Sequence, residues 1–317
     1  MATTHLPSLS RPVQDSTPAV KGEPPLPPAP PPVPAPVRLS RARLVTAVCG
    51  WGVLIIVGML VAAGPLGALS ESRAQHGLLA DFRQQVTNSA AAAQSPLGAI
   101  VPTKPAEPGT AVALLQIPRL GLQRVVVEGA SPTDTQSGPG HVSGTAGPGQ
   151  PGNSAIVGRA AGYGAAFADL GKLRAGDDIV VTTTQGQSVY RVTRPPAVNS
   201  GDVLGKSADN RLTLISSASW WPWSADPLVV TATMRDLSFS PTPQQGRSLA
   251  TDGRMGDPGA YGWLVIDFVL LVAAAAIAVF LYRRWLPRAT YLLTCPVLVA
   301  LIVLSTDTFL RTLPAWI

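Results

Sequence analysis

The fold is decided by the stretch GPGHVSGTAGPGQPGNSAIVGRAAGYG, which spans residues 138–164. Its first sixteen residues contain six glycines and three prolines, a composition that excludes a regular helix and indicates a backbone that turns repeatedly. The apolar run at residues 154–157 is then typical of a short buried strand, which Gly158 ends. The loop that follows carries Arg159. A polar side chain placed after a buried strand predicts a functional site, yet a guanidinium does not act as a base at ordinary pH.

Short apolar runs separated by glycine, proline and aspartate continue on both sides of this stretch. Strands are predicted at residues 111–117, 125–127, 154–157, 179–184, 188–192, 212–216 and 228–233. Gln185-Gly186 has the composition of a hairpin turn, and residues 167–173 (FADLGKL) that of a single helical turn. Seven or eight short strands at this spacing predict a closed β-barrel or a sandwich. The last strand ends near Asp236.

Three apolar blocks flank this strand-rich domain, and each is long enough to cross a bilayer, which needs about 20 apolar residues. The sequence therefore predicts an integral membrane protein. Its parts are a proline-rich tail (1–43), a first span (44–69), a juxtamembrane helix and linker (70–110), the strand-rich domain (111–236), a polar tether (237–260) and two further spans (261–282 and 289–309). The tail cannot bury a core, so it is predicted to be disordered or polyproline II.

The positions of the arginines predict the orientation of the spans. One cluster precedes the first span and another lies between the second and third spans, and such clusters favour the cytoplasm. The clusters are Arg38, Arg41 and Arg43, and Arg283, Arg284 and Arg288. The amino terminus is therefore predicted to be cytoplasmic and residues 70–260 extracytoplasmic. The first span lacks a clear cleavage site and is interpreted as an uncleaved signal-anchor.

Charge and cysteine content exclude several function classes. The whole chain has a net charge of +6, but residues 70–260 contain 15 lysines and arginines against 14 aspartates and glutamates. No basic face is left for a nucleic acid, so no nucleic-acid partner is predicted. Both cysteines, Cys49 and Cys295, fall within predicted spans, which leaves residues 70–260 without a disulfide or a thiol nucleophile. Neither a metal nor a cofactor is predicted.

The segment after the first span has the pattern of an amphipathic helix. Ser70 and Ser72 are residues that often begin a helix, and the apolar residues that follow recur at helical spacing on one face. These apolar residues are Leu78, Leu79, Phe82 and Val86. His76 on this helix is interpreted as a surface residue.

Several short motifs, taken in order, resemble the sortases of Gram-positive bacteria, and are most similar to the class E group of actinobacteria. They are IPRLGL (117–122), VVEG (126–129), GPGH (138–141), GT (144–145), PGQPGN (148–153), YG (163–164) and FADLGKLRAGD (167–177). The resemblance covers about residues 111–234. It implies a mainly β fold, an eight-stranded β-barrel that faces the cell wall from a membrane anchor. It also implies transpeptidation, in which a cysteine thiolate attacks a sorting-motif peptide, a histidine acts as acid and an arginine stabilises the oxyanion.

The resemblance places other residues at all three of those positions. Arg159 stands where the family has its histidine, Ser217 where it has its cysteine, and Pro227 where it has its arginine. A serine hydroxyl needs an adjacent base, unlike a thiol that is partly ionised unaided. The histidines outside the spans and the tail are His76 and His141. A relocated Ser217–His141 dyad is therefore a catalytic arrangement that the sequence leaves open.

Other residues near the predicted cleft have two interpretations each. Arg159 and its neighbour Tyr163 either hold an acidic group of a ligand, or Arg159 pairs with an acid such as Asp226 or is solvated. Asp267 inside the second span either serves a function or reaches water near the outer face, and the second is favoured. Asp307 at the end of the third span is expected to need no special role. Three tryptophans suggest docking to a partner or to the bilayer, or packing on the barrel. They are Trp220, Trp221 and Trp223.

Three hypotheses follow for the function. The favoured one is an inactive sortase-like barrel that acts as a binding or assembly module at the cell envelope. Its partners would be the membrane and cell-wall proteins, peptidoglycan precursors or another membrane protein. The second is a Ser217-based transpeptidase or hydrolase of cell-wall proteins. The third is a transport or channel accessory role centred on the spans and Asp267.

Overall fold

The computed structural model describes residues 41–94, 104–198, 204–205, 207–219, 226–244, 256–284 and 287–317. The proline-rich tail, most of the linker before the barrel and the three tryptophans at 220, 221 and 223 lie outside these residues, so their interpretations stay predictions.

Eight strands close into a barrel in the order β1-β2-β3-β4-β7-β8-β6-β5. The strands are β1 (Ala111–Ile117), β2 (Leu122–Glu128), β3 (Gly140–His141), β4 (Asn153–Val157), β5 (Asp178–Thr183), β6 (Gly186–Val198), β7 (Arg211–Ser217) and β8 (Pro227–Met234). β2 with β3 and β4 with β7 pair in parallel, and the remaining neighbours are antiparallel. The barrel is confirmed over the sandwich. Seven strands lie where the sequence predicts them, whereas β3 has only two residues and leaves no periodic signal.

Side chains alternate between the inside and the outside along the strands, and those that point inward fill the barrel with apolar groups. Leu115, Ile156 and Leu214 are fully buried there, and the side chain of Tyr190 is buried among them. The hydroxyl oxygen of Tyr190 accepts a hydrogen bond from the backbone N–H of Gly149 at 2.7 Å. Burial raises the pKa of Tyr190 to about 12, because the phenolate would lose its hydration.

The predicted hairpin between β5 and β6 is present, but its turn lies one residue earlier than expected. Thr183 pairs with Gly186, so Thr184 and Gln185 are the central residues of the turn. Gly186 instead begins β6 with a φ of 143°, which a side chain would strain. The predicted single helical turn is confirmed as a 3-10 turn at Leu170–Lys172.

The first span and the juxtamembrane helix are one continuous helical rod. α1 (Arg41–Val61) passes through a π-helical turn (Ala62–Leu66) into α2 (Gly67–Ala93). Proline lacks an N–H and clashes with the carbonyl four residues earlier, and the wider π turn accommodates Pro65 without ending the helix. The predicted helix start at Ser70 and Ser72 is therefore wrong: the Ser72 hydroxyl donates to the Leu69 carbonyl at 2.9 Å within the helix.

The amphipathic helix that the sequence predicts is present in α2, and its apolar face packs on the barrel. Phe82 is 2% exposed and lies against Ala111 of β1 and Val125 of β2. The sequence did not predict the role of Gln75, whose amide oxygen accepts from the Val125 N–H at 2.7 Å and whose amide nitrogen donates to the Val125 carbonyl at 3.0 Å. His76 is exposed, which agrees with its interpretation as a surface residue.

Two apolar helices follow the barrel, α3 (Ala260–Arg284) and α4 (Pro287–Arg311). Together with the α1–α2 rod they make three helical segments that are long and apolar enough to cross a membrane. α3 and α4 pack on each other through Leu271, Ala278 and Leu298, which are buried. Most other apolar side chains of these helices point outward, as expected for a lipid-facing surface.

The chain after β8 stays on the barrel for at least ten residues, from 235 to 244. The N–H of Phe239 donates to the Gly149 carbonyl at 2.8 Å, and the N–H of Thr242 donates to the side-chain oxygen of Gln150 at 3.0 Å. The phenyl ring of Phe239 fills the space above Gly149 and Gly186. The described part of the predicted polar tether is therefore attached to the barrel. No periodic pattern in these residues indicates this attachment.

Candidate functional site

The barrel brings Arg159, Ser217 and Pro227 to one end of three neighbouring strands. The parallel pairing of β4 with β7 sets Val157 opposite Ile215, and the N–H of Gly158 donates to the Ile215 carbonyl at 2.9 Å. The antiparallel pairing of β7 with β8 sets Ser217 opposite Pro227. The three positions singled out from the sequence therefore belong to one site.

Arg159 is the largest fully buried side chain of this site, with only 1% of its surface exposed. Its Nη1 donates to the backbone oxygen of Ile317 and its Nη2 to the carbonyl of Pro132, each at 2.7 Å. Burial lowers the pKa of Arg159 to about 10, and the nearby Tyr163 and Asp307 partly oppose that shift, so the guanidinium keeps its charge at neutral pH. The expectation of a solvated guanidinium is wrong.

The acceptors of Arg159 are distant in sequence, 27 and 158 residues away, so its role is to hold separate segments together. Hydrogen bonds from a charged donor stabilise by about 1.5–3 kcal/mol each. The Nε–H of Arg159 has no acceptor among the described residues. The guanidinium carbon also lies 5.2 Å from the centre of the Tyr163 ring, a cation–π distance.

Tyr163 connects this site to α4. Its hydroxyl donates to Oδ1 of Asp307, which also accepts from the side-chain amide of Gln136 at 3.1 Å. The other carboxylate oxygen of Asp307 pairs with Arg311 at 2.6 Å. Burial, followed by the hydrogen bond to Asp307, raises the pKa of Tyr163. The expectation that Asp307 needs no special role is wrong, because this carboxylate fastens two barrel segments to α4.

The loop of Tyr163 is strained where it meets the rod. Tyr163 and Ala165 have φ angles of 38° and 45°, values that are uncommon for residues other than glycine and that cost about 1–3 kcal/mol each. A Cβ on Gly164 would come within 2.5 Å of the Glu71 carboxylate on α2. Glu71 is itself held by an ion pair with Arg124 at 2.9 Å. The loop that follows β4 is thus fixed between the barrel and the helices that flank it.

Residues 312–317, called here the C-terminal segment, cover the outside of the barrel beside Arg159. Ala315, Trp316 and Ile317 are 0%, 4% and 2% exposed. They pack against a set of apolar side chains, called here the outer face, that consists of Val142, Ala155, Val157 and Ile215. The Trp316 carbonyl accepts from the N–H of Ala160 at 2.9 Å. Full burial of a side chain such as Ile317 stabilises by about 1.5–3 kcal/mol.

Ser217 and His141 do not form the dyad that the sequence left open. Ser217 is 6% exposed, and its hydroxyl oxygen accepts from the N–H of Ser219 at 3.2 Å. His141 pairs with Ile156 of β4, which pairs with Leu214 of β7, so it lies two strands away and three residues short of Ser217. Strands are spaced about 4.8 Å apart, so the two side chains are out of hydrogen-bond reach.

The ring of His141 is fully engaged elsewhere. Its Nδ1 lies 2.8 Å from the Glu128 carboxylate and its Nε2 lies 2.9 Å from the Ala146 carbonyl. These side chains border a polar cavity of about 410 Å³ between the end of α2 and the far side of the barrel. His141 is therefore a structural histidine of β3, and its cavity is separate from the site of Arg159.

A family model settles what this barrel is. The model of the sortase domain matches residues 115–235. The barrel is a sortase domain. The resemblance to sortases that the sequence motifs indicate is therefore confirmed. The predicted architecture, a sortase barrel with one long apolar helical segment before it and two after it, is confirmed as well.

Several solved sortases are similar to this chain. One is a sortase D5 transpeptidase from Clostridium perfringens, 23% identical, covering 52% of this chain and 99% of that chain with a TM-score of 0.44. Another is sortase E from Streptomyces avermitilis, 29% identical, covering 41% of this chain and 91% of that chain with a TM-score of 0.37. A third is sortase E1 from Streptomyces coelicolor, solved with a tripeptide in its active site, 26% identical, covering 44% of this chain and 94% of that chain with a TM-score of 0.37. A search of the curated proteins found no match.

Asp267 lies apart from the sortase barrel, between α3 and α4. Its side chain is 4% exposed and accepts a hydrogen bond from the Thr308 hydroxyl at 2.7 Å. The favoured expectation that Asp267 reaches water is therefore wrong. The sequence showed a carboxylate in a span, but not that a hydroxyl of the following helix would face it.

Proposed function

We propose that this chain is a membrane-anchored pseudo-sortase, whose barrel is kept as a binding or assembly module at the envelope of a Gram-positive cell. The observation that carries the proposal is the burial and hydrogen bonding of Arg159. This residue stands where the family resemblance places a histidine, and it is buried with its terminal nitrogens committed to Pro132 and Ile317. A side chain that holds two segments of the fold in this way is unavailable as a proton donor to a leaving group.

The chemistry of the other two positions supports the same proposal. Transpeptidation needs a nucleophile, a proton shuttle and a positive charge where the oxyanion develops. The Ser217 hydroxyl has a backbone N–H as its described hydrogen-bond partner, which is a donor and not a base. Pro227 carries no charge. Within the described residues, the three family positions therefore carry neither a thiol, nor a free proton donor, nor a positive charge for the oxyanion.

The arginine clusters support an orientation in which the amino terminus is cytoplasmic and the sortase barrel is extracytoplasmic. In this arrangement residues 44–69, 261–282 and 289–309 span the membrane and residues 111–236 form the exported domain. The partners we propose are the membrane together with cell-wall proteins, peptidoglycan precursors or another membrane protein. Cysteine accessibility tests this orientation: a cysteine introduced at exposed Val198 should react with a membrane-impermeant maleimide in intact cells, and protection there would contradict it.

The main test sets this proposal against the Ser217-based enzyme. Full-length protein in detergent is incubated with fluorogenic sorting-motif peptides, and the chain is then analysed by intact mass spectrometry. We expect no peptide cleavage above that of the Ser217→Ala variant, and no added acyl mass. Cleavage that disappears in Ser217→Ala, or an ester on Ser217, would establish the enzyme and overturn the proposal.

A further inference from the structure

The outer face is an apolar surface in a place where a barrel normally meets water. Ile156 and Leu214 point into the core, so the alternation of the strands turns Ala155, Val157 and Ile215 outward. These three side chains are at most 3% exposed. A surface of this kind remains buried only when another segment covers it.

The C-terminal segment provides that cover in the form of a short hooked peptide. It leaves α4 directly after Arg311, and the N–H of Ile317 donates back to the Pro314 carbonyl at 3.1 Å. The hook directs Trp316 and Ile317 onto the outer face. The segment has no ionisable side chain, which suits an apolar surface.

The barrel also recognises the backbone of this peptide. Two successive backbone oxygens accept hydrogen bonds from two successive residues of the loop after β4: that of Trp316 from the Ala160 N–H at 2.9 Å, and that of Ile317 from Arg159 at 2.7 Å. Main-chain hydrogen bonds combined with apolar side-chain contacts are the pattern by which proteins bind peptides. The donors here include a buried guanidinium, which a purely apolar contact would not require.

We propose that the outer face together with Arg159 is a peptide-binding site, and that the C-terminal segment is its intramolecular ligand. The segment closes the site in the resting chain, and an apolar peptide added in trans must displace it. This inference rests on the proposed function, because an active enzyme would need its cleft open to substrate, whereas the C-terminal segment closes this site. The segment is continuous with α4, so the effective concentration of this ligand is of the order of millimolar.

The test uses a chain that ends at Arg311 and a fluorescein-labelled peptide of residues 312–317, TLPAWI, with an amidated carboxyl end. Fluorescence anisotropy in detergent should show saturable binding to the shortened chain. Binding to the full chain should be about tenfold weaker, because the tethered segment competes. A TLPASS peptide, which lacks the two large apolar residues, should bind neither chain.

Matched substitutions in the shortened chain locate the site. Ile215→Ser on the outer face should weaken peptide binding at least tenfold, whereas Val198→Ser, at an exposed position of β6, should leave it unchanged. Equal binding to the full and shortened chains would overturn the proposal, as would no binding to a folded shortened chain or a loss of binding in Val198→Ser.

If the shortened chain fails to fold, a full-length chain with Trp316→Ala and Ile317→Ala decides the question. It should bind the TLPAWI peptide about as the shortened chain would, and binding as weak as that of the unaltered chain would refute the inference. Failure of peptide binding leaves the pseudo-sortase proposal standing, whereas an ester on Ser217 refutes the pseudo-sortase proposal itself. The two failures are therefore distinguishable.

Discussion

Tyr163→Phe is the substitution that most cleanly separates a fixed site from an open catalytic cleft. It removes one oxygen, and with it the hydrogen bond that the Tyr163 hydroxyl donates to Asp307. A hydrogen bond to a charged acceptor contributes about 1.5–3 kcal/mol. Asp307 keeps Gln136 at 3.1 Å and Arg311 at 2.6 Å, so its carboxylate is not left unpaired. We therefore expect Tyr163→Phe to lower the unfolding free energy by about 1.5–2 kcal/mol, near the lower end of that range.

The assay is urea unfolding of the full chain in detergent, with pulse proteolysis of the barrel as the readout. The unfolding free energy is obtained from the midpoint urea concentration and the slope of the unfolding curve. Tyr261→Phe is the matched control. The Tyr261 side chain is 56% exposed and its hydroxyl lies 3.4 Å from the Thr312 carbonyl, a weak contact. That variant should lose less than about 0.5 kcal/mol. Equal losses in the two variants would refute the view that Tyr163 and Asp307 fasten the barrel to α4.

Three further predictions concern other parts of the fold. Phe82→Ala should lower the unfolding free energy by about 3–5 kcal/mol, because it leaves a cavity where α2 packs on the barrel. Urea unfolding measures this loss. Tyr190 has a pKa of about 12 when folded against an ordinary value of 10, so the folded chain keeps a proton that the unfolded chain loses. The stability that this proton contributes is fully present below pH 10 and is lost as the pH rises through about 12. The unfolding midpoint should therefore fall more between pH 9 and pH 11 in the unaltered chain than in Tyr190→Phe. Asp267→Asn keeps an oxygen to accept from Thr308, so stability and cellular function should both survive; loss of function with the barrel intact would instead favour a transport role.

The sequence predicted the fold well wherever local pattern decides structure. Alternating apolar residues located seven strands, and the spacing of Phe82 and its neighbours located the face of α2 that packs on the barrel. The predicted helix start at Ser70 failed because local capping signals cannot reveal that a π turn carries the rod past Pro65. β3 escaped detection because its two residues are held by their neighbours in the barrel and not by their own pattern.

The site was only partly predictable. The family resemblance brought Arg159, Ser217 and Pro227 to attention, and the strand pairing does place them together. The partners of Arg159 were not predictable, because carbonyl groups occur at every residue and those at Pro132 and Ile317 are chosen by tertiary folding. The one available signal was the apolar Trp316-Ile317 pair beyond the end of the third span, which a purely lipid-facing helix would not need.

The central claim, that this sortase barrel binds and does not catalyse, is tested most directly by the wall-bound proteome of cells that express the Ser217→Ala chain at the level of the unaltered chain. We expect every protein attached to the cell wall to be recovered in the same amount from both strains. Loss of even one wall protein from the Ser217→Ala cells, with the variant folded and in the membrane, would contradict it.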